Sequence, residues 1–166
     1  MNSSVPNIEY PISNTLILGL GNPILTDDGV GIHAVRAVAA RCPPGEGLAF
    51  AEASVGGLRL LDLLAGYERV ILVDAIQTRG GRPGAVYRLS LDQLPASLHS
   101  SSSHDLSLPA ALELGRRLGM DLPADENVIL LTVEVEDILS FGETCTPAVI
   151  KAIPLAVEAA LAELQT

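Results

Sequence analysis

The sequence predicts an α/β fold, a three-layer α/β/α sandwich with a mainly parallel, twisted sheet of about five strands. Short, apolar, β-branched runs alternate along the 166 residues with stretches of helical periodicity, which is the pattern of βαβ units. Apolar residues make up 48% of the chain and aromatic residues only 3%, so the core must consist mostly of Leu, Val, Ile and Ala. That composition suits helices packed on an apolar sheet.

Five runs are predicted to be strands: Thr15–Leu20, Gly47–Ala53, Arg69–Ala75, Gly84–Leu91 and Asn127–Val135. The first, third and fifth are apolar almost throughout, which is typical of central strands covered on both faces. The fourth alternates between apolar and polar residues. It is therefore the candidate for an antiparallel edge strand.

Helical stretches are predicted between the strands. The first two run from about Gly29 to Arg41 and from about Gly57 to Leu64, and the third, "LPAALELGRRLG", ends at Gly119. For the last helix, Thr146 is a suitable N-cap and Pro147 fits the first helical position. Pro154 lies inside its pattern, so we expect it to kink or divide that helix.

Residues 15–166 are expected to form one domain, preceded by a flexible N-terminal tail over residues 1–14. This tail lacks the basic start and apolar centre of a signal peptide. No run approaches the roughly 20 apolar residues that a membrane span requires. We therefore expect a soluble protein. The two cysteines form no C-x-x-C pair, which favours a reducing, cytoplasmic setting.

The chain is acidic, with a formal net charge of −10. No excess of basic residues is available to replace the counterions of a phosphate backbone or of an anionic bilayer. The composition therefore argues against nucleic acid and membrane partners.

The turn after the first strand, "GLGNPILTDDGVG", contains Asp27 and Asp28. An Asp in front of a helix is often only its N-cap. Two consecutive aspartates allow one to cap while the other projects away. In parallel α/β sheets, ligands bind beyond the carboxyl ends of the strands, which is where this turn is expected to lie.

Two further polar residues are expected at the same edge. Asp74 ends the apolar strand "RVILVD", where a buried carboxylate is costly unless it is paired. His104 follows the serine run of "SLHSSSSHD", in a loop long enough to return to this edge. One of the two aspartates of the turn, together with Asp74 and His104, would make a three-ligand site with open positions for nickel, zinc or manganese. The alternatives remain a loop-capping Asp74 and a surface His104.

Several motifs resemble those of the hydrogenase maturation endopeptidases. The opening "ILGLGNPILTDDGVG", the middle section "ASVGGLRLLDLLAGYERVILVDAIQTRGGRPGAVYRL", the histidine segment "SSSHDLSL" and the final helix "TPAVIKAIPLAVEAAL" occur in the family's order. The resemblance runs from about Thr15 to Leu164. It departs at "GETCTP", where Cys145 replaces a larger apolar residue.

The resemblance implies that this chain is a peptidase with aspartic-type endopeptidase activity, which removes the C-terminal tail of a nickel–iron hydrogenase large-subunit precursor after nickel insertion. The family's metal-contacting, catalytic positions fall on Asp28, Asp74 and His104. The nickel is expected to arrive in the precursor, and no organic cofactor is implied. We expect a monomer. Neither cysteine has a matched histidine, which disfavours covalent catalysis.

Three other functions compete with this interpretation. The same site could serve a nickel-dependent chaperone that binds the precursor without cutting it. Peptidyl-tRNA hydrolases share the Gly-Leu-Gly-Asn-Pro opening but continue differently, and the acidic charge opposes tRNA binding. A dinucleotide-binding oxidoreductase would need a third glycine where this chain has Ile24.

Overall fold

The fold is a five-stranded sheet with helices on both faces, seen in a computed structural model that describes residues 14–94 and 107–166. The strands are β1 (Thr15–Leu20), β2 (Leu48–Ala53), β3 (Arg69–Ile76), β4 (Val86–Leu89) and β5 (Val128–Glu134). The helices are α1 (Val30–Arg41), α2 (Leu58–Leu64), α3 (Leu108–Arg117) and α4 (Pro147–Glu163). The loop that contains His104 and residues 1–13 of the expected tail lie outside the described residues.

The strand order is β2-β1-β3-β5-β4, and every neighbouring pair is parallel except β4 with β5. This order confirms the predicted fold class and the antiparallel edge strand. The three most apolar strands, β1, β3 and β5, occupy the centre, as their sequences predicted. Helices cover both faces of a central strand, so the side chains that point to either face must be apolar.

Successive side chains along each strand point to opposite faces of the sheet, which divides the core into two layers. Ile17, Ile71 and Ile129 face the layer that contains α1 and α4. The even-numbered leucines, such as Leu18 and Leu72, face the layer that contains α2 and α3. Apolar side chains thus cover both faces of the sheet, and polar groups are confined mainly to its edges and ends. None of the helices within the described ranges is long and apolar enough to cross a membrane.

The structure differs from two helix predictions in part. Helix α3 ends at Arg117, before Gly119, and Gly119 follows in a left-handed turn with φ of 85°. Helix α4 begins at Pro147, as predicted, but continues undivided through Pro154. Pro154 is exposed, so its ring and the carbonyl group left without a helical donor lie on the solvent side of the helix.

Strand β2 lies on one side of β1 and strand β3 on the other, so the order in which strands are added to the sheet changes direction between β1 and β3. This position is the switch point of the sheet. The 3-10 turn Thr26–Gly29 and the start of α1 pack over this switch point. A Cβ atom at Gly31 would lie 2.2 Å from the carbonyl oxygen of Val73 and 2.4 Å from that of Leu20. Only glycine therefore allows α1 to begin in the crevice between the two strands.

We expect Gly31→Ala to destabilise the protein by roughly 3 kcal/mol, because the added methyl group must push two strands away from α1. The matched control is Gly45→Ala, since a Cβ atom there would meet nothing within 4 Å. Urea denaturation of both variants measures the difference. Equal stability of the two variants would contradict the close packing described for the switch point.

Candidate functional site

The turn after β1 carries two aspartates with different surroundings. Asp27 is fully buried, whereas Asp28 is only half-buried. The carboxylate of Asp27 accepts hydrogen bonds from the backbone amides of Glu136 at 3.2 Å, Asp137 at 3.1 Å and Thr146 at 2.7 Å. A fourth hydrogen bond, at 3.0 Å, comes from the hydroxyl group of Thr146. Asp27 is therefore a structural residue that connects the turn to the loop after β5.

This arrangement changes the predicted capping scheme. Neither aspartate caps the helix that follows it through its side chain. Thr146 does occupy the N-cap position of α4, but its hydroxyl group does not cap that helix and instead donates to Asp27. A carboxylate that accepts several donors is stable in a buried position, which accounts for Asp27 without any ligand.

Asp28 points away from this network. Its Oδ2 atom accepts a hydrogen bond from the backbone amide of Asn22 at 2.8 Å, which closes the turn. The close approach depends on Gly21, whose φ is 130° and whose added Cβ atom would lie 1.8 Å from the carbonyl oxygen of Asp28. The turn therefore holds Asp28 in a fixed, partly accessible position at the carboxyl end of β1.

Asp74 lies near the carboxyl end of β3 and is only 5% exposed. Its Oδ1 atom accepts a hydrogen bond from the next backbone amide, that of Ala75, at 2.8 Å. Its neighbour across the sheet is Thr132 on β5. Thr132 is completely buried, and its hydroxyl group has no hydrogen-bond partner within residues 14–94 and 107–166. Two polar side chains thus stand side by side on neighbouring central strands whose other buried residues are mostly apolar.

The structure places Asp28 and Asp74 at the carboxyl ends of the neighbouring strands β1 and β3, on the two sides of the switch point. The turn of Asp28 packs against β3 itself. His104, the third predicted site residue, lies outside the described residues. The part of the chain that is described contains no group of three His, Cys, Asp or Glu residues able to hold a metal ion. Any three-ligand site therefore needs a donor from outside it.

The two carboxylates could supply part of the ligand set of a divalent transition metal ion. Carboxylate oxygens bind nickel, zinc or manganese, and an imidazole nitrogen would shift the preference toward nickel or zinc. Asp28 is accessible enough to meet an ion that arrives with another protein. Asp74 is buried beside an apolar core that would strengthen any charge interaction made there.

The cysteines do not offer a nucleophile. Cys42 and Cys145 are both free and both buried. The thiol group of Cys145 donates to the carbonyl oxygen of Thr26 at 3.4 Å. Burial, with a contribution from the charge of Asp27, raises the pKa of Cys145 to about 11. The thiolate needed for nucleophilic attack is therefore scarce at neutral pH, which agrees with the prediction that covalent catalysis is disfavoured.

Sequence reasoning missed Glu134, a third carboxylate at the same edge. It ends β5, is 2% exposed, and accepts hydrogen bonds from the amide of Thr78 at 2.6 Å and from its hydroxyl group at 2.8 Å. A Cβ atom at Gly81 would lie 2.1 Å from its carboxyl carbon. Glu134 therefore fixes the loop that follows Asp74. The sequence did contain a signal for Glu134, because this residue lies at the end of an apolar strand as Asp74 does.

Comparisons with known proteins all point to the same protein family. The HycI family model, described as hydrogenase maturation protease, matches residues 32–163. A hydrogenase expression/formation protein, HupD, from Thiocapsa roseopersicina is 28% identical over 148 residues, covering 88% of this chain. The hydrogenase 2 maturation protease of Escherichia coli K12 is 30% identical over 105 residues, covering 63% of this chain. The matches span 65% and 64% of the lengths of these two relatives.

The fold has a solved counterpart. The hydrogenase maturating endopeptidase HybD from Escherichia coli superimposes with a TM-score of 0.76 and 30% sequence identity, covering 91% of each chain. The HycI hydrogenase maturation protease of Thermococcus kodakarensis KOD1 shares the fold with a TM-score of 0.66 at 19% identity.

The adjacent aspartates provide a matched pair for a stability test. We expect Asp27→Asn to cost about 2 kcal/mol or more, because the amide group would face buried N–H donors. Asp28→Asn should change stability by no more than roughly 0.5 kcal/mol, since Asp28 accepts one hydrogen bond at the surface of the turn. Urea denaturation measures both. Equal losses would show that the division of roles between the two residues is wrong.

Proposed function

The chain belongs to the hydrogenase maturation protease family, and from that membership we propose that it removes the C-terminal extension of a nickel–iron hydrogenase large-subunit precursor. The cut follows nickel insertion, and the nickel in the precursor is what the protease recognises. The observation that carries this proposal is the position of Asp28 and Asp74 at the ends of β1 and β3, on either side of the switch point.

Asp28, Asp74 and His104 are the residues proposed to contact the nickel of the docked precursor. Asp28 is accessible to the precursor, and its turn is already fixed by Asn22. Asp74 contributes a second carboxylate from the neighbouring strand. His104 supplies the nitrogen donor. Since the ion belongs to the substrate, the protease needs no resident metal and no organic cofactor.

The reaction is hydrolysis of one peptide bond. A water molecule attacks the carbonyl carbon, a C–O bond forms and the C–N bond breaks. One carboxylate of the site accepts a proton from the water, and the departing nitrogen takes up a proton. The metal ion of the substrate can polarise the carbonyl group or the water. The buried, protonated Cys145 takes no part.

The remaining parts of the proposal concern the setting of the reaction. The acidic chain acts on a protein partner and not on nucleic acid or membranes, in agreement with its net charge of −10. The protease works as a monomer in the cytoplasm. The two free, buried cysteines are compatible with a reducing compartment.

The proposal is tested by incubating the purified protein with nickel-loaded or nickel-free precursor. Intact mass spectrometry then measures the mass of each precursor. We expect the loaded precursor alone to lose a C-terminal peptide. Asp28→Asn, Asp74→Asn and His104→Ala should each slow processing by at least about 100-fold with little change in melting temperature. Asp62→Asn, which removes an exposed carboxylate from α2, is the matched control and should process normally.

The outcomes separate the possible functions. Stable binding of loaded precursor without a change in mass would favour the non-cleaving chaperone. Normal processing by one of the three variants would remove that residue from the site. Equal cleavage of loaded and nickel-free precursor would show that nickel is not the recognition element.

A further inference from the structure

Three large apolar side chains are exposed beside the candidate site and form what we call the apolar ridge. Phe141 is 85% exposed, Leu139 is 83% exposed and Ile24 is 48% exposed. Leu139 and Phe141 belong to the loop after β5, and Ile24 belongs to the turn after β1. Phe141 is one of only two phenylalanines in the chain. Exposure of this degree in neighbouring segments is typical of a contact surface.

The two segments of the ridge are firmly joined. The amide of Gly142 donates to the carbonyl oxygen of Ile24 at 3.0 Å, and the amide of Thr26 donates to that of Gly142 at 2.8 Å. The hydroxyl group of Thr26 donates to the carbonyl oxygen of Ser140 at 2.7 Å. These hydrogen bonds fix the backbone that carries the exposed side chains. The ridge therefore needs little further ordering before it binds a partner.

Asp137 shapes the loop between Leu139 and Phe141. Its Oδ1 atom accepts hydrogen bonds from the amides of Leu139 at 3.1 Å and Ser140 at 2.9 Å. Donation from the amide and hydroxyl group of Ser140, and then from the amide of Leu139, lowers the pKa of Asp137 below its ordinary value. The carboxylate is therefore ionised at neutral pH, where it accepts the hydrogen bonds that shape this turn.

Exposed apolar residues concentrate at the carboxyl edge of the sheet. Among the described residues, five of the nine exposed large hydrophobic side chains follow the carboxyl ends of strands: Ile24, Val55, Leu58, Leu139 and Phe141. This is the edge that carries Asp28 and Asp74. The ridge is thus continuous with the surface that a substrate must approach.

The ridge has an acidic border. Residues 134–146 contain four acidic residues and no Lys or Arg. Of the four, Glu136 and Glu143 are exposed on either side of Leu139 and Phe141. A partner therefore binds the ridge most favourably if basic residues flank its own apolar contact. A second copy of this acidic chain is a poor match, because its net charge of −10 would add repulsion at the border.

We propose that the apolar ridge is the docking surface for the hydrogenase large-subunit precursor, and that it binds an apolar segment of the precursor bordered by basic residues. This inference rests on the proposed function, because it assigns the substrate of that site a place to bind. Docking on the ridge brings the precursor against the edge where Asp28 lies. The ridge contributes to affinity and leaves the bond-breaking step to the carboxylates.

The double variant Leu139→Ser, Phe141→Ser tests this proposal through the Kd for purified nickel-loaded precursor. We expect the Kd to rise about tenfold or more, since burial of these two side chains would no longer favour the complex. Both side chains are largely exposed, so the melting temperature should stay the same. The matched control is Leu118→Ser, Leu155→Ser, which removes side chains that are 74% exposed at the C-cap of α3 and 59% exposed on α4, and should leave the Kd unchanged.

Glu136→Gln, Glu143→Gln tests the acidic border. We expect this variant to bind the precursor more weakly at low salt, and the difference from wild type to shrink as salt screens the charges. The same weakening at every salt concentration would overturn the basic character assigned to the partner.

The Kd measurement distinguishes this proposal from the protease function. If the wild-type protein binds the precursor but does not cut it, the proposed function fails, while the effect of the ridge variant on Kd still decides the docking surface. An unchanged Kd for the ridge variant, or no binding by the wild type, would overturn the ridge. A concentration-dependent dimer that the ridge variant abolishes would assign the ridge to a second copy and also overturn the proposal.

Discussion

The hydrogen-bonded carboxylate of Asp27 is the interaction on which the carboxyl edge of the sheet depends. It collects three backbone amides and one hydroxyl group from the loop after β5 and the start of α4. A buried carboxylate tolerates so many donors because each replaces a hydrogen bond to water. The result is that two segments distant along the chain are fixed against one turn, and that Asp28 remains partly accessible to the solvent.

The sequence predicted the fold well because the signal was strong and local. Central strands must be apolar on both faces, and β1, β3 and β5 were recognisable for that reason alone. The position of Asp28 and Asp74 at one edge followed from the rule that parallel strands end at the same side. Glycine also limits the geometry there, since Gly31 admits α1 into the crevice between β1 and β3.

Contacts between distant segments were not predictable in the same way. No local pattern shows that Thr146 donates to Asp27 across 119 positions, so Thr146 was predicted to cap its own helix. The position of Glu134 at the end of an apolar strand is visible in the sequence, but its hydrogen bonds to Thr78, 56 positions away, are not. Pro154 was expected to kink or divide α4, but the helix continues undivided through this exposed position. Each difference arises from tertiary contacts or burial, which local propensity does not contain.

The proposed activity depends most directly on whether Asp28, Asp74 and His104 can bind one metal ion together. X-ray diffraction from crystals soaked with Ni²⁺ or Cd²⁺, recorded for anomalous scattering, tests this directly. We expect one strong peak about 2 Å from carboxylate oxygens of both Asp28 and Asp74 and from an imidazole nitrogen of His104. A peak bound elsewhere, or carboxylates of Asp28 and Asp74 too far apart to share one ion, would contradict the proposed site.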